Sequence, residues 1–326
     1  MRRPIRTAWL AMTATTVLSL AASGCVTVHG ELAVVPSVKR SEAAKALTGF
    51  VDAYNAADKS YDPALDQGRV SGALGAINQA GLRSNAATSP GGNPQHRDLV
   101  LNDARFTIPK KAGWPRWFVA EATPAGARSD GPDAVRWLMA FVRDSPDADW
   151  KAAYLTSMKA SAIPRFTTGS GGYAVPVADK AGGLAVAPGE LSADYAAYLQ
   201  SGRPGDFAPG PHTDQWRASR AKTAKQSAST MQYIDQPLKD GDFAPLALAT
   251  KDGGAFVFFA TRYYQRQTTA AGYRPQVPKD VAPLVRGTVR TKLTKEWVSA
   301  QAAQVPPTGK VTILSRLEGV TGATGS

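Results

Sequence analysis

Over residues 41–57 apolar side chains return every three or four positions, at Ala44, Leu47, Phe50, Val51 and Tyr54. That spacing lays one apolar stripe along a helix, and Ser41 is placed to cap it. Asp62-Pro63 reads as a cap followed by a first-turn proline, which opens a second helix. A third is predicted over residues 70–87 despite Gly72, Gly75 and Gly81, each of which costs about 1 kcal/mol relative to alanine. Residues 88–95 read as loop. The period then shortens to two. Residues 99–108 and 116–123 read as strands, and Val135, Trp137, Met139 and Phe141 alternate along a strand with one buried face. Asp144-Ser145-Pro146-Asp147 makes a tight connection to a strand over residues 150–156.

Residues 161–189 mix proline, glycine and short apolar words, and read as an ordered linker with one strand at most. Helical spacing returns at Leu191, Tyr195, Tyr198 and Leu199, and a more polar helix is predicted over residues 211–228. Strands follow at 243–250 and 255–267, joined by Lys251-Asp252-Gly253-Gly254. A last hairpin pairs 285–303 with 310–317 across Pro306-Pro307-Thr308-Gly309. Helices precede antiparallel strands in both halves. The pattern therefore predicts an α+β protein of two tandem units, 41–160 and 190–322, each with helices packed on a curved antiparallel sheet.

The start of the chain differs from the rest. Arg2, Arg3 and Arg6 precede about 15 mostly apolar residues, which lead into Ala22-Ser23-Gly24-Cys25. This has the three parts of a secretory signal, and its apolar core is shorter than the roughly 20 residues of a spanning helix. The small residues before Cys25 resemble the lipobox of bacterial lipoproteins, in which the cysteine thiol is acylated and becomes the first mature residue. Ala22 departs from the leucine usual three places before the cysteine. The resemblance implies a cleaved signal over 1–24, lipidation of Cys25, a tether over 25–40, and a body on the outer face of the cell membrane. Cys25 is the single cysteine of 326 residues, so no disulfide forms within the chain.

Charge adds a second asymmetry. Residues 25–160 carry 16 basic and 14 acidic side chains, while residues 161–326 carry 19 and 12. A basic second half beside a membrane or wall suits anionic polymers or headgroups. In the strand predicted over 285–303, Arg286, Arg290 and Lys292 share one parity and Val289, Leu293 and Trp297 the other. One face can pack while the other offers an anionic contact. Arg217, Arg220, Lys222 and Lys225 spread around the polar helix, as on a solvated one. An export signal and the absence of a recognition motif exclude nucleic acid as partner. The expected partners are the membrane, through the lipid on Cys25, and an anionic wall polymer, a headgroup or a membrane protein.

Two further resemblances bear on fold. Phe50-Val51-Asp52-Ala53-Tyr54-Asn55, with the hairpin from Arg136-Trp137-Leu138 to Asp149-Trp150-Lys151, resembles the nuclear transport factor 2-like cone shared with ketosteroid isomerase. The second half is similar in element order only. As a whole the chain resembles an uncharacterised family of actinobacterial lipoproteins, a family that implies no activity. The cone implies a pocket between helices and bent sheet, used by some relatives as small-molecule carriers or for acid–base catalysis by a carboxylate and an oxyanion donor. Tyr54, Asp58 and Asp103 are the nearest residue types to such a set.

No complete catalytic or cofactor motif accompanies them. His29, His96 and His212 are isolated in sequence, which argues against zinc. Ser219-Arg220-Ala221-Lys222 matches the Ser-x-x-Lys of penicillin-binding enzymes but lacks their downstream elements. Gly169-Ser170-Gly171-Gly172 lacks the lysine and spacing of a phosphate loop. The expected job is binding or assembly, with no catalytic, cofactor-binding or metal residue assigned.

Overall fold

The apolar stripe of the first segment folds as α1, Arg40–Ser60, and buries Ala43, Ala46, Leu47, Phe50 and Ala57. The fold comes from a computed structural model that describes residues 33–326. Cys25, His29 and the predicted signal lie outside the described residues. Helix α1 starts one residue earlier than the sequence suggests. Lys39, in extended conformation, precedes it without a side-chain cap, and Ser41 sits in the first turn. Asp62 does cap, accepting from the Ala64 N–H at 2.9 Å, but the helix it opens is one 3₁₀ turn, Pro63–Leu65. The chain turns inward there because the buried Asp66 carboxylate is bound by Asn78 and Gln79. Both partners lie on α2, Gly72–Thr88.

Two sheets follow. Strands β2 (Leu101–Thr107), β4 (Arg116–Pro124), β5 (Val135–Arg143) and β6 (Lys151–Lys159) form an antiparallel sheet in the order β2-β4-β5-β6. The short strands β1 (Val35–Pro36) and β3 (Lys110–Lys111) pair beside it. Helix α3 (Leu191–Ser201) and helix α4 (Asp214–Thr223) precede a seven-stranded sheet. Its strands are β7 (Lys225–Gln226), β8 (Ser229–Leu238), β9 (Leu246–Ala249), β10 (Ala255–Thr269), β11 (Val285–Arg286), β12 (Lys292–Val305) and β13 (Thr312–Gly325). The main path runs β11-β13-β12-β10-β8-β7, with β9 also pairing β10. The protein is thus α+β, with four helices among the described residues.

The single buried face expected of β5 is corrected to two: Leu138, Met139, Ala140 and Phe141 are consecutive and all fully buried. The reason is layering. Phe118, Met139 and Phe141 pack with Leu47 and Phe50 of α1. On the opposite face, Val119, Leu138 and Ala140 join Phe256, Phe258, Val298 and Ala300 of the larger sheet in one cluster. The far face of that sheet, through Val257, Phe259 and Ala303, takes Leu191, Tyr195 and Leu199 of α3. Helix, sheet, sheet and helix make four layers, and each middle layer reads as a run rather than an alternation. Tyr154 fastens the two sheets: its ring stacks on Phe258 at 5.8 Å, and its hydroxyl donates to the Phe243 and Ala244 carbonyls at 2.8 and 3.1 Å.

Residues 161–189 lie along the edge of β9 with no regular strand of their own. Thr167 and Val177 N–H groups donate to Ala249 and Ala247, and Ala249 donates back to Val175. On the other side Ala174 donates to Ile108. The segment covers an otherwise open sheet edge and stitches it to the first half.

Three further elements differ from expectation. Helix α4 ends at Thr223 because Lys225 and Gln226 turn back to pair with Thr230 and Ser229. Strand β8 was not foreseen, and it pairs with β10 over ten residues. The long strand expected over 285–303 is two: β11 runs parallel to β13, and β12 begins at Lys292. Pairing of β12 with β13 follows the predicted hairpin but continues to Gly325.

Candidate functional site

Where a cone would hold its pocket, aromatic rings fill the centre, and a cleft of about 640 Å³ opens at the edge between α1 and β2, lined by Leu47, Val51, Asp52, Asn55, Asp98 and Phe106. Phe118 stacks on Phe141 at 5.0 Å, Phe50 meets Phe141 edge-on at 5.9 Å, and Trp150 meets Phe118 at 4.9 Å. Phe141 is buried in this cluster and Trp137 packs against it, while Trp117 is buried on the opposite face, in the cluster shared with the larger sheet. The catalytic types named from sequence do not converge. Tyr54 and Asp58 lie one turn apart on α1, whereas Asp103 is exposed at the bulge of β2 and uses its backbone oxygen to accept from Arg136.

Asp58 belongs instead to a clasp. His96 places Nδ1 2.7 Å from Asp58 Oδ2 and Nε2 2.9 Å from Asp98 Oδ1. Ionised carboxylates only accept, so the protonated ring, with both nitrogens donating, is the form that satisfies both contacts. Hydrogen bonds to Asp58 and Asp98 hold its pKa above the ordinary value. Asn93 also donates to Asp58, which ties the loop after α2 to α1. Nearby, burial pushes the Asp66 carboxyl up to about 6, against the lowering pull of Asn78 and Gln79.

A polar cleft lies at the seam between the halves. It encloses about 500 Å³ and is assembled from the first residue of α1, the end of β2, residues 163–174 and the turn after β9. Arg40, Arg165 and Lys251 line it, with Phe106, Phe166 and Tyr173. None of these three cations forms an ion pair among the described residues, whereas the one carboxylate in the wall, Glu121, is held by Arg136 Nε at 2.7 Å. Arg165 and Lys251 are neighbours through the backbone, the Lys251 N–H donating to the Arg165 carbonyl at 2.8 Å. Gly171 and Gly172 both take φ of 75°, a left-handed conformation that glycine adopts without strain, and a Cβ at Gly172 would meet open space. Bare backbone therefore reaches the rim beside Tyr173. Of the motifs weighed for chemistry in the sequence, only the Gly169–Gly172 run falls here; the cations come from distant segments.

The other singled-out residues go elsewhere. Arg286, Arg290 and Lys292 do not share a strand: Arg286 is on β11, Arg290 in the connection and Lys292 at the start of β12. All three are exposed, and the backbone nevertheless gathers them. Arg286 pairs with Thr324, and the Arg290 and Lys292 N–H groups donate to the Ser326 carbonyl at 3.2 and 2.8 Å. Ser219 and Lys222 are both exposed on α4. Arg220 is not solvated as expected but buried, with Nη1 donating to Asp235 Oδ1 and Oδ2 at 2.9 and 2.8 Å and its guanidinium between Tyr233 and Tyr263. His212 is half-buried, and burial followed by the charge of Arg316 lowers its pKa.

The layered fold defines a class. Residues 34–325 match the family described as Domain of unknown function (DUF8094), and the chain belongs to that family. It is 48% identical to an uncharacterized lipoprotein of Streptomyces coelicolor, over 99% of this chain and 98% of the relative. It is 46% identical to an uncharacterized lipoprotein of Streptomyces avermitilis, over 97% and 95%. No solved structure matches the chain.

Proposed function

We propose that the protein is a lipid-anchored binding protein of the outer face of the cell membrane, non-enzymatic, with the seam cleft as its ligand site. The observation that carries the binding role is a contrast: the centre between α1 and the first sheet is packed with Phe50, Phe118, Phe141 and Trp150 and the cleft at its α1–β2 edge is lined by no cation, while the seam is open and lined by three cations that form no ion pair among the described residues. The lipobox-like Ala22-Ser23-Gly24-Cys25 supports acylation at Cys25, as do two relatives bearing the name lipoprotein. Two acyl chains hold a protein stably at a bilayer, where one holds it marginally. The repeated order of helices before an antiparallel sheet supports reading each half as a cone-like unit with a filled interior. The test is a photoreactive residue at position 173 on living cells. It should capture a ligand that the same group at exposed Tyr273 does not, and equal capture at both positions would contradict the reading.

A second reading adds an anionic contact at Arg286, Arg290 and Lys292, favoured by their convergence around Ser326. Surface attraction of this kind is screened by salt. Binding to anionic vesicles should fall steeply as ionic strength rises, and fall again when the three are replaced by glutamine. Salt-independent binding would remove this reading.

A further inference from the structure

The seam cleft does not end at Arg165 and Lys251. A second cleft of about 450 Å³ adjoins it, and Ile163, Pro164, Arg165 and Lys251 are common to both walls. The two clefts therefore meet at a wall they share, and Arg165 and Lys251 stand in it. Each half of the groove lies within the size range that holds a small ligand, and together they suit a chain of linked units rather than one compact molecule.

The lining specifies the chemistry of that chain. At one end Tyr173, Phe106 and Phe166 offer ring surface, with the hydroxyls of Thr107 and Thr168 between them. The bare backbone of Gly171 and Gly172 lets a bulky group approach Tyr173 closely. Lys110 Nζ lies 5.3 Å from the Tyr173 ring centre and donates to Ser170 Oγ, adding a fourth cation beside this end. Toward the other end the second carboxylate of the groove, Asp252, is consumed by its own turn. It accepts from Thr250 Oγ1, the Gly254 N–H and Gln304 Nε2, and these bonds hold its pKa below the ordinary value. Glu121 is paired with Arg136, and Asp252, though ionised, forms no ion pair with Arg165 or Lys251, so three cations of the groove face one uncompensated carboxylate and the lining stays net positive. Aromatic faces receive the apolar faces of sugar rings, hydroxyls and amides receive their hydroxyls, and arginine binds carboxylate or phosphate through a planar fork.

Resting on the reading of the seam as the ligand site, we propose that the groove binds a linear anionic glycan, its sugar rings against Tyr173 and its carboxylate or phosphate groups on Arg165 and Lys251. A non-glycan polyanion satisfies the cations but leaves the aromatic end unused. A neutral glycan does the reverse.

The test uses the chain from Cys25 onward, which contains the whole described fold, in calorimetric titrations with a galacturonate hexamer, a phosphorylated mannose pentamer, maltohexaose and hexaglutamate. At least one anionic glycan should bind saturably, and both maltohexaose and hexaglutamate should bind about tenfold more weakly or worse. Arg165→Gln with Lys251→Gln should weaken the bound glycan by about tenfold or more. Tyr173→Leu should weaken it without raising the affinity for hexaglutamate. Circular dichroism should show each variant folded, since Arg165 and Lys251 are exposed and leucine at the half-buried position 173 keeps an apolar side chain against the core. Hexaglutamate binding as tightly as the glycans would overturn the proposal, as would full affinity in the double variant. Failure of both anionic glycans to bind overturns the ligand class; if position 173 still captures a ligand on cells, the seam reading survives that failure, and if it captures nothing both fall.

Discussion

The Lys251 N–H donates to the Arg165 carbonyl at 2.8 Å, so two of the three cations of the seam are set side by side by backbone alone. Neither side chain is needed for that link. Arg165→Gln and Lys251→Gln should therefore shift stability by less than about 0.5 kcal/mol each, the range of ordinary surface substitutions. Chemical denaturation would show this, and a loss above about 1 kcal/mol would mean that the charges serve the fold.

The buried pair behaves oppositely. Arg220 and Asp235 have side chains 7% and 2% exposed, and Arg220 Nε and Nη2 have no hydrogen-bond partner. Breaking such a pair leaves a charge stranded away from water, at a cost of about 3–5 kcal/mol. Asp235→Ala should cost that much by urea unfolding. Asp235→Leu combined with Arg220→Met should cost much less than Asp235→Ala, because no charge remains behind. Equal loss in both variants would show that packing between Tyr233 and Tyr263 matters more than the ion pair.

Close approach of the two halves requires Gly72. It opens α2 at φ 53°, and a Cβ there would lie 2.4 Å from the Asp242 carbonyl oxygen and 3.2 Å from that of Ala153. Left-handed backbone alone costs a non-glycine residue about 1–2 kcal/mol, and the contact with backbone adds to it. Gly72→Ala should destabilise by at least about 2 kcal/mol. Gly68→Ala, a nearby change into open space, is the control and should be close to neutral.

Acidity should act on the first half through two groups in the same direction. The folded state raises the pKa of His96, so the clasp stabilises fully below the ordinary histidine value and loses that contribution as pH rises through the raised one. Burial likewise raises Asp66 to about 6, so its ionisation works against the fold as pH climbs from about 4 to 6. The thermal midpoint should fall between pH 6 and 8, and His96→Gln should flatten that limb. Asp66→Asn should flatten the limb between pH 4 and 6, and the Asp66 carboxyl resonance should titrate near 6. A midpoint that rises from pH 6 to 8 in the parent protein but not in His96→Gln would reverse the sign assigned to the clasp.

Elements with strong periodicity were legible from sequence. Helix α1 shows in Leu47, Phe50, Val51 and Tyr54, and β10 in its unbroken apolar start at Ala255. Strand β8 was hidden because its alternation is broken: Asp235 shares the inward parity of Met231 and Tyr233, Ile234 takes the exposed one, and Pro237 stands near the end. The four-layer arrangement was invisible because a strand buried on both faces looks like any apolar run, and in β5 the large residues Val135, Trp137, Met139 and Phe141 fall on alternate positions and suggest a single buried face. Arg220 read as a solvated charge because its partner, Asp235, lies on a strand that was not foreseen. The groove could not be read at all: its cations stand at positions 40, 165 and 251, and only the tertiary fold brings them together.

The most direct test of a tethered binding protein is membrane fractionation of cells producing the full-length Cys25→Ser variant. The lipid-anchored account predicts that the parent protein stays with membranes and resists washing with high salt, while the variant leaves that fraction with its body folded. A Cys25→Ser protein that remains in the washed membrane fraction as fully as the parent would contradict it.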